Sequence, residues 1–447
     1  MRLFTDLKNR KIIFTLCILF LLSIYFPKYI ILNDQFVNTT GTRSDFLIVF
    51  LYLSDIIIIC AYIRGVLKKQ INWLKSAYLI PFLLLLEHAA QNTRPDHNIL
   101  SIYYAYIIVL GFVTYETTKY VLSNELISTI KIYVLHIFIV LSVIQAIIGI
   151  SQFYLQHSVG LFHVGEQNIS RDIAGVAKID TLRGKVIRSY GTFTHPNTLA
   201  PFLLTGWIAL IYLYSRSFKT PKLFLVIQSV VLTGLFFTFS RGALLCWLSV
   251  ELALLIFVII KKFHLKQLLT FLGSGVITML ILGVGFNNVL ARRVQFADAS
   301  LALRENYSQI ASKLIGESPY FGVGPGQTMF QMKHILNNQL RDFEIQPIHN
   351  YFLQLWVEWG AFVLGAVVLF FASIYSNTIK TYLRTQDLPT QLNLLLYILL
   401  LTSFYCLMFF DHYFYTTRAP IALLWIVLAL NTSVNKKDSQ IVSPETN

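Results

Sequence analysis

The sequence predicts an all-α fold: a polytopic membrane helical bundle of about 12 transmembrane helices, forming a single integral membrane domain over residues 1–447. Three observations predict it. The chain is 55% hydrophobic and only 13% charged, with a mean hydropathy of +0.62, outside the range of soluble domains. Its apolar runs repeatedly reach 18 or more residues, the length that crosses a bilayer. Its cations are unevenly shared between alternate connections, as the positive-inside rule requires.

Taken in order, spans are expected near 12–32, 46–63, 74–91, 100–121, 131–153, 198–215, 223–239, 242–260, 267–286, 349–375, 391–410 and 418–431. The first follows a basic flank, Arg2 to Lys11, and has no small-residue cleavage site, so it reads as an uncleaved span rather than a removed signal. Between the seventh and eighth spans there is only Ser240-Arg241-Gly242. Cys17, Cys60, Cys246 and Cys406 all lie in apolar segments, so no disulfide, cysteine-metal site or redox pair is expected.

An even number of spans puts both termini on one side. The two tails and the connections at 64–75, 119–131, 216–222, 261–266 and 380–384 hold 20 of the 36 Lys and Arg residues. The short opposite connections hold only Lys28, Arg43, Arg94, Arg241 and Arg418. Both termini are therefore expected in the cytoplasm of a cytoplasmic (inner) membrane protein. Two long connections, 154–197 and 287–348, then face outward as periplasmic loops, and loops too long for hairpins are commonly functional. Alternation in the stretch from Leu182 to Asn197 suggests a short strand or hairpin. The second loop is partly helical: an amphipathic stretch from Ser300 to Ile315, a Pro/Gly-rich turn from Ser318 to Gly326, and a helical stretch from Thr328 to Asp342.

The outer side is also selected for arginine. By this topology it carries 11 Arg against 5 Lys, where the inner side carries 5 Arg against 15 Lys. Retention in the cytoplasm needs only a cation, whereas a guanidinium adds a planar fork that grips phosphate or carboxylate at two points. Loop solvation and headgroup anchoring explain any one arginine equally well. Arg241, alone between two spans, has little room to be a solvated tail. At the other end of the second loop, the Pro347 turn sets His349 and Asn350 at the water–lipid boundary as a helix begins. Nine residues on, at about 1.5 Å each, Glu358 lies roughly 13 Å deeper, where an acid usually faces protein or a cavity.

Five features in order carry a resemblance: Gly191-Thr192-Phe193 with Pro196-Asn197; Ser240-Arg241-Gly242; Arg304; Pro319 with Gly322-Val323-Gly324-Pro325-Gly326; and His349-Asn350 with Glu358 and Gly360. Over 185–375 the chain resembles the O-antigen ligase and O-antigen polymerase family, membrane glycosyltransferases with a C-type glycosyltransferase-like bundle. The resemblance implies transfer of a glycan from a polyprenyl (undecaprenyl) diphosphate carrier to an acceptor hydroxyl at the outer face of the membrane. The acceptor is the lipid A core in ligases and a lipid-linked repeat in polymerases, and the sequence does not choose between them. It also implies that Arg241 and Arg304 bind the donor diphosphate and His349 is the catalytic base. No cofactor, metal or nucleic acid is expected; membrane lipids and the two glycolipids are the expected partners.

The chemistry of the residues agrees. Diphosphate is a good leaving group that needs charge stabilisation more than a general acid, while a sugar hydroxyl needs a base, for which histidine suits. Candidate donor or acceptor contacts are Arg188, His195, Asn197, Gly324 and Asn350, with Arg292 and Arg293 as further donor contacts. Each has a plainer alternative. His349 could simply anchor a helix at the interface, and Asn350 suits an N-cap. His195 before Pro196 suits turn chemistry as well as catalysis. The glycines could cradle phosphate or only make a turn. Glu358 suits a hydrogen-bonded packing role. Two rival classes remain: a carrier or lipid-linked-sugar flippase using Asp55, Glu251 and Glu358, against which no internal repeat is visible, and a scaffold for envelope assembly.

Overall fold

The computed structural model describes residues 2–33, 46, 48–68, 71, 98–123, 128–181, 184–216, 221–295, 298–336 and 346–441. The span expected at 74–91, and Arg43, Arg94, Arg183 and Arg341, lie outside the described residues; so do the side chains of Arg292 and Arg293. Among the described residues seven helices are long and apolar enough to cross a membrane, and three shorter apolar helices accompany them. The protein is an all-α, multi-pass membrane protein.

Two expected spans are corrected near the N-terminus. Helix α1 (Arg2–Tyr25) ends two residues before Pro27, which cannot continue a helix. The apolar residues that follow are strand, not helix: β1 (Tyr29–Asn33) pairs antiparallel with β2 (Val49–Tyr52). Helix α2 (Leu53–Leu67) therefore begins seven residues later than its expected span. Asp55 consequently sits in the first turn of α2, where its carboxylate accepts from the Tyr52 amide and pairs with Arg418 Nε. It is not an isolated acid in mid-membrane.

Helices α3 (Asn98–Ser123), α4 (Ser128–Leu155), α5 (Pro196–Tyr214), α6 (Pro221–Phe237), α7 (Arg241–Lys261) and α8 (Leu265–Gly285) follow at the expected positions. Apart from its termini α5 has no polar face, and it is the centre of the bundle: α4, α6, α7 and two later helices surround it, with Leu203, Leu204 and Trp207 fully buried. The long connection before α5 contains a hairpin, β3 (Lys178–Thr181) against β4 (Gly184–Ile187), of which only β4 lies in the stretch where alternation suggested one. In the second connection α9 (Asn287–Gln295) rests on β3, so the two long connections touch. The amphipathic stretch forms α10 (Asp298–Glu317), whose Tyr307, Ile310, Ala311 and Leu314 make a small separate core with Met332, Ile348 and Val357. Helix α11 (Thr328–Ile335) is shorter than the expected stretch to 342, of which 337–342 lie outside the described residues.

Helices α12 (Tyr351–Arg384), α13 (Leu388–Phe410), the short α14 (Tyr413–Thr416) and α15 (Arg418–Ile441) complete the chain. α12 is not one continuous helix. It breaks at Gly360, whose backbone (φ 77°, ψ 177°) is open to glycine and strained for any other residue. The Pro/Gly-rich turn fills the break, because the Val323 and Gly324 amides donate to the Val357 and Glu358 carbonyls and the Ala361 amide donates to Pro319. A Cβ at 360 would lie 2.1 Å from the Tyr320 carbonyl oxygen, so backbone from the loop occupies the space a side chain would need.

Candidate functional site

One wall of the site is built from α4. Gln145 and Gln152, two turns apart on one face and fully buried, read the backbone of residues 190–192. Gln152 Oε1 accepts from the Tyr190 and Gly191 amides at 3.0 and 2.8 Å, and Gln145 Oε1 accepts from the Thr192 amide at 2.8 Å. Arg188, buried, donates from Nε to the Thr238 carbonyl at 2.6 Å and from Nη2 to Asn197 Oδ1 at 2.6 Å. These bonds lash the first long connection to the corner between α6 and α7, next to Arg241. His195 is delivered as the N-cap of α5, its Nδ1 accepting from the Asn197 amide at 3.1 Å. Turn chemistry and proximity to the site hold together for this histidine.

The opposite wall comes from α10 and the start of α12. Arg304 and Tyr307, three residues apart, share a face of α10. Tyr307 stacks flat on the His349 imidazole, with centroids 5.4 Å apart and planes 7° apart, which brings Arg304 beside His349. The Arg304 charge acts on Arg241, on His349 and on His412. Arg304 thus lies within electrostatic reach of both Arg241 and His349, residues far apart in the chain. Asn350 is the N-cap of α12, accepting from the Phe352 and Leu353 amides at 3.0 Å, and its Nδ2 donates to the Phe409 carbonyl at 3.2 Å.

That last bond ties α12 to the end of α13, where sequence reasoning missed two residues. Asp411 and His412 lie in a short connection that hydropathy treats as a mere turn, yet both are buried against His349. The His349 and His412 rings meet edge to face at 5.0 Å. His412 Nδ1 bonds Thr416 Oγ1 at 2.7 Å, and Asp411 Oδ2 accepts from Asn197 Nδ2 at 2.8 Å. A chain of contacts therefore runs from Arg188 through Asn197 to Asp411. His349 Nδ1 is buried and, among the described residues, makes no hydrogen bond of good geometry, although the Pro347 carbonyl acts on the ring. The signal available in the sequence was an adjacent acid and imidazole at a span's end.

Burial sets the protonation. It pushes the His195 imidazole down to about 3, with the Arg188 charge adding to it, and the His412 imidazole down to about 3 against the pull of Asp411. His349 is lowered for the same reason, with Asp411 opposing and Arg304 reinforcing. Burial alone would raise Asp411, but His412, His349 and His195 around it and the Asn197 amide outweigh that and hold it below the ordinary carboxylate range. At neutral pH the cluster is one carboxylate among neutral imidazoles.

The glycine-rich loop is different in kind. The Gly322 amide donates to the Ser318 carbonyl and the Gly324 amide to that of Glu358, so neither is available to cradle a phosphate. Glu358 is buried and accepts from Thr328 Oγ1 at 2.9 Å, Gln354 Nε2 at 2.8 Å and Tyr415 Oη. The loop reaches Glu358 at the α12 break, so counting helical rise from His349 misjudged its surroundings. Its hydrogen-bonded packing is as expected.

Residues 223–370 match the O-antigen ligase family. A comparison with curated proteins finds no match to the chain. The matched segment holds Arg241, Arg304, Gly324, His349, Asn350 and Glu358, and lies inside the 185–375 region that carries the resemblance. Arg188, His195, Asn197, Asp411 and His412 fall outside it, yet the fold brings them to the same place. The matched stretch, about a third of the chain, is similar to a family of O-antigen ligases.

Proposed function

We propose that the protein is an O-antigen ligase that moves a glycan from polyprenyl diphosphate to a hydroxyl of the lipid A core, at the periplasmic face of the cytoplasmic membrane with both termini inside. The observation that supports this reading is a guanidinium, Arg304, within electrostatic reach of a second, Arg241, and of the half-buried His349 imidazole. Arg241 and Arg304 hold the donor diphosphate. Neutral His349 takes the proton from the acceptor hydroxyl, whose oxygen attacks the anomeric carbon from the face opposite the diphosphate. The bond from that carbon to the phosphate oxygen breaks, and the two arginines stabilise the charge left on the diphosphate. Asp411 stabilises the imidazolium formed at His349, as its pull on that ring already indicates. The inversion of configuration follows from this single displacement.

Arg188 and Asn197 act as braces, since their polar atoms bind Thr238, each other and Asp411. Against a carrier, the Asp55 carboxylate is paired with Arg418, although Glu251 remains buried with both oxygens unpartnered. The test is a reconstituted transfer assay with lipid-linked glycan: His349→Ala and Arg304→Ala should each abolish product while the protein still folds. Near-normal turnover by either removes its role. In a deletion strain, uncapped core lacking any repeat supports the ligase, whereas core bearing a single repeat unit indicates a polymerase.

A further inference from the structure

The geometry around His349 does more than seat a base. We propose that His349, Asp411 and His412 form a site for one exchangeable first-row transition ion, with zinc as the closest chemical match, and that its occupancy switches the transferase off; the second half rests on the role proposed above for His349. The three side chains offer ligand atoms all within 4.8 Å of one another. His412 Nε2 and Asp411 Oδ1 are 3.7 Å apart, too long for a hydrogen bond. Two donors bound to one tetrahedral ion at zinc-like bond lengths sit about 3.4 Å apart, so this pair already has nearly the spacing of a coordination edge.

The outer contacts match what metal ligands require. A ligating imidazole is usually fixed by a bond from its other nitrogen, and His412 Nδ1 has that bond to Thr416 Oγ1, leaving Nε2 for the ion. A ligating carboxylate is usually held by a donor, and Asp411 Oδ2 has Asn197 Nδ2 at 2.8 Å. His349 completes the set with one ring nitrogen within that same distance. Two imidazoles and one carboxylate suit zinc and its neighbours, not magnesium or calcium, which prefer all-oxygen sets. The Arg304 charge acts on both imidazoles and opposes a second cation.

Occupancy and catalysis exclude each other at one atom. A neutral imidazole has a single basic nitrogen, and once that lone pair binds an ion it cannot accept the acceptor's proton. The ion takes no part in the reaction.

The test uses the full chain in detergent, stripped with chelator, equilibrated with zinc alone and desalted before bound metal is counted. Wild type should retain one zinc per chain. His412→Gln and Asp411→Asn should bind roughly 10-fold or more weakly, and His136→Gln, at a histidine far along the chain on α4, should bind as wild type. Arg304→Gln should bind severalfold more tightly, because an opposing charge is gone. Wild type without stoichiometric zinc, or His412→Gln and Asp411→Asn both binding as wild type, overturns the site. Turnover of wild type should fall on zinc addition and return with chelator; unchanged turnover at full occupancy overturns the switch. A protein inactive without zinc would instead count against the proposed function, since the metal count is read without any activity.

Discussion

Two polar clusters, one just before α12 at His349 and one nine residues on at Glu358, are built in opposite ways. Around Glu358 both carboxylate oxygens are engaged: Thr328 and Gln354 donate to Oε1 and Tyr415 to Oε2, from α11, α12 and α14. Around His349 the accounting is left open: among the described residues Nδ1 makes no hydrogen bond of good geometry, and neither Arg241 nor Arg304 forms an ion pair with a carboxylate. A saturated network can only hold the fold together, since any substrate would have to break it. An unsaturated one is energetically costly in the resting state and becomes complete when a ligand supplies the missing charge and hydrogen bonds. The same contrast separates Gly324, whose amide is already bonded, from the arginines.

The largest test of this contrast is His349→Ala, which should lower turnover below detection, by at least the roughly 10²–10⁴-fold that a general base usually contributes, with unchanged thermal unfolding. Next, Arg304→Lys should lower turnover by roughly 10²-fold, because a point charge cannot reproduce a bidentate grip on diphosphate. The saturated cluster should respond differently. Glu358→Ala orphans buried donors and should cost ~1–3 kcal/mol of stability, seen as a lower unfolding temperature, while turnover per folded molecule changes far less than at His349. A loss of turnover equal to that of His349→Ala would erase the distinction between the clusters.

The smallest effect is on pH dependence. His349 must be neutral to act, and burial holds its pKa below 6.5, so turnover should be level above that pH and fall as pH drops through the lowered value. Asp411 pulls that pKa upward. Asp411→Asn should therefore move the acid limb to still lower pH, read from the pH profile of kcat/KM. A shift in the other direction would mean that Asp411 does not face the imidazole.

Much of this was legible in the sequence, and what was missed has physical causes. Hydropathy places helices well because length and apolarity are what a bilayer demands, and Arg241 and His349 stood out as polar groups at span ends, with Arg304 in the amphipathic stretch of the second long connection. Hydropathy does not distinguish an apolar strand from an apolar helix, so Tyr29–Asn33 and Val49–Tyr52 were assigned to spans. Nor does it register a break such as Gly360, which depends on loop backbone 40 residues earlier lying against it. Asp411 and His412 were missed because their meaning comes from His349, a contact across more than 60 residues that only packing creates. The two glutamines of α4 look like ordinary polar residues in a span until their bonds to residues 190–192 are seen.

The central claim is a division of labour between guanidinium and imidazole, and measuring donor binding and transfer side by side tests it most directly. With purified variants and a lipid-linked diphosphate glycan, His349→Ala should bind donor as tightly as wild type and form no product, while Arg304→Ala should lose both binding and transfer. Equal loss of donor binding in the two variants, or product formed by His349→Ala, would contradict the account.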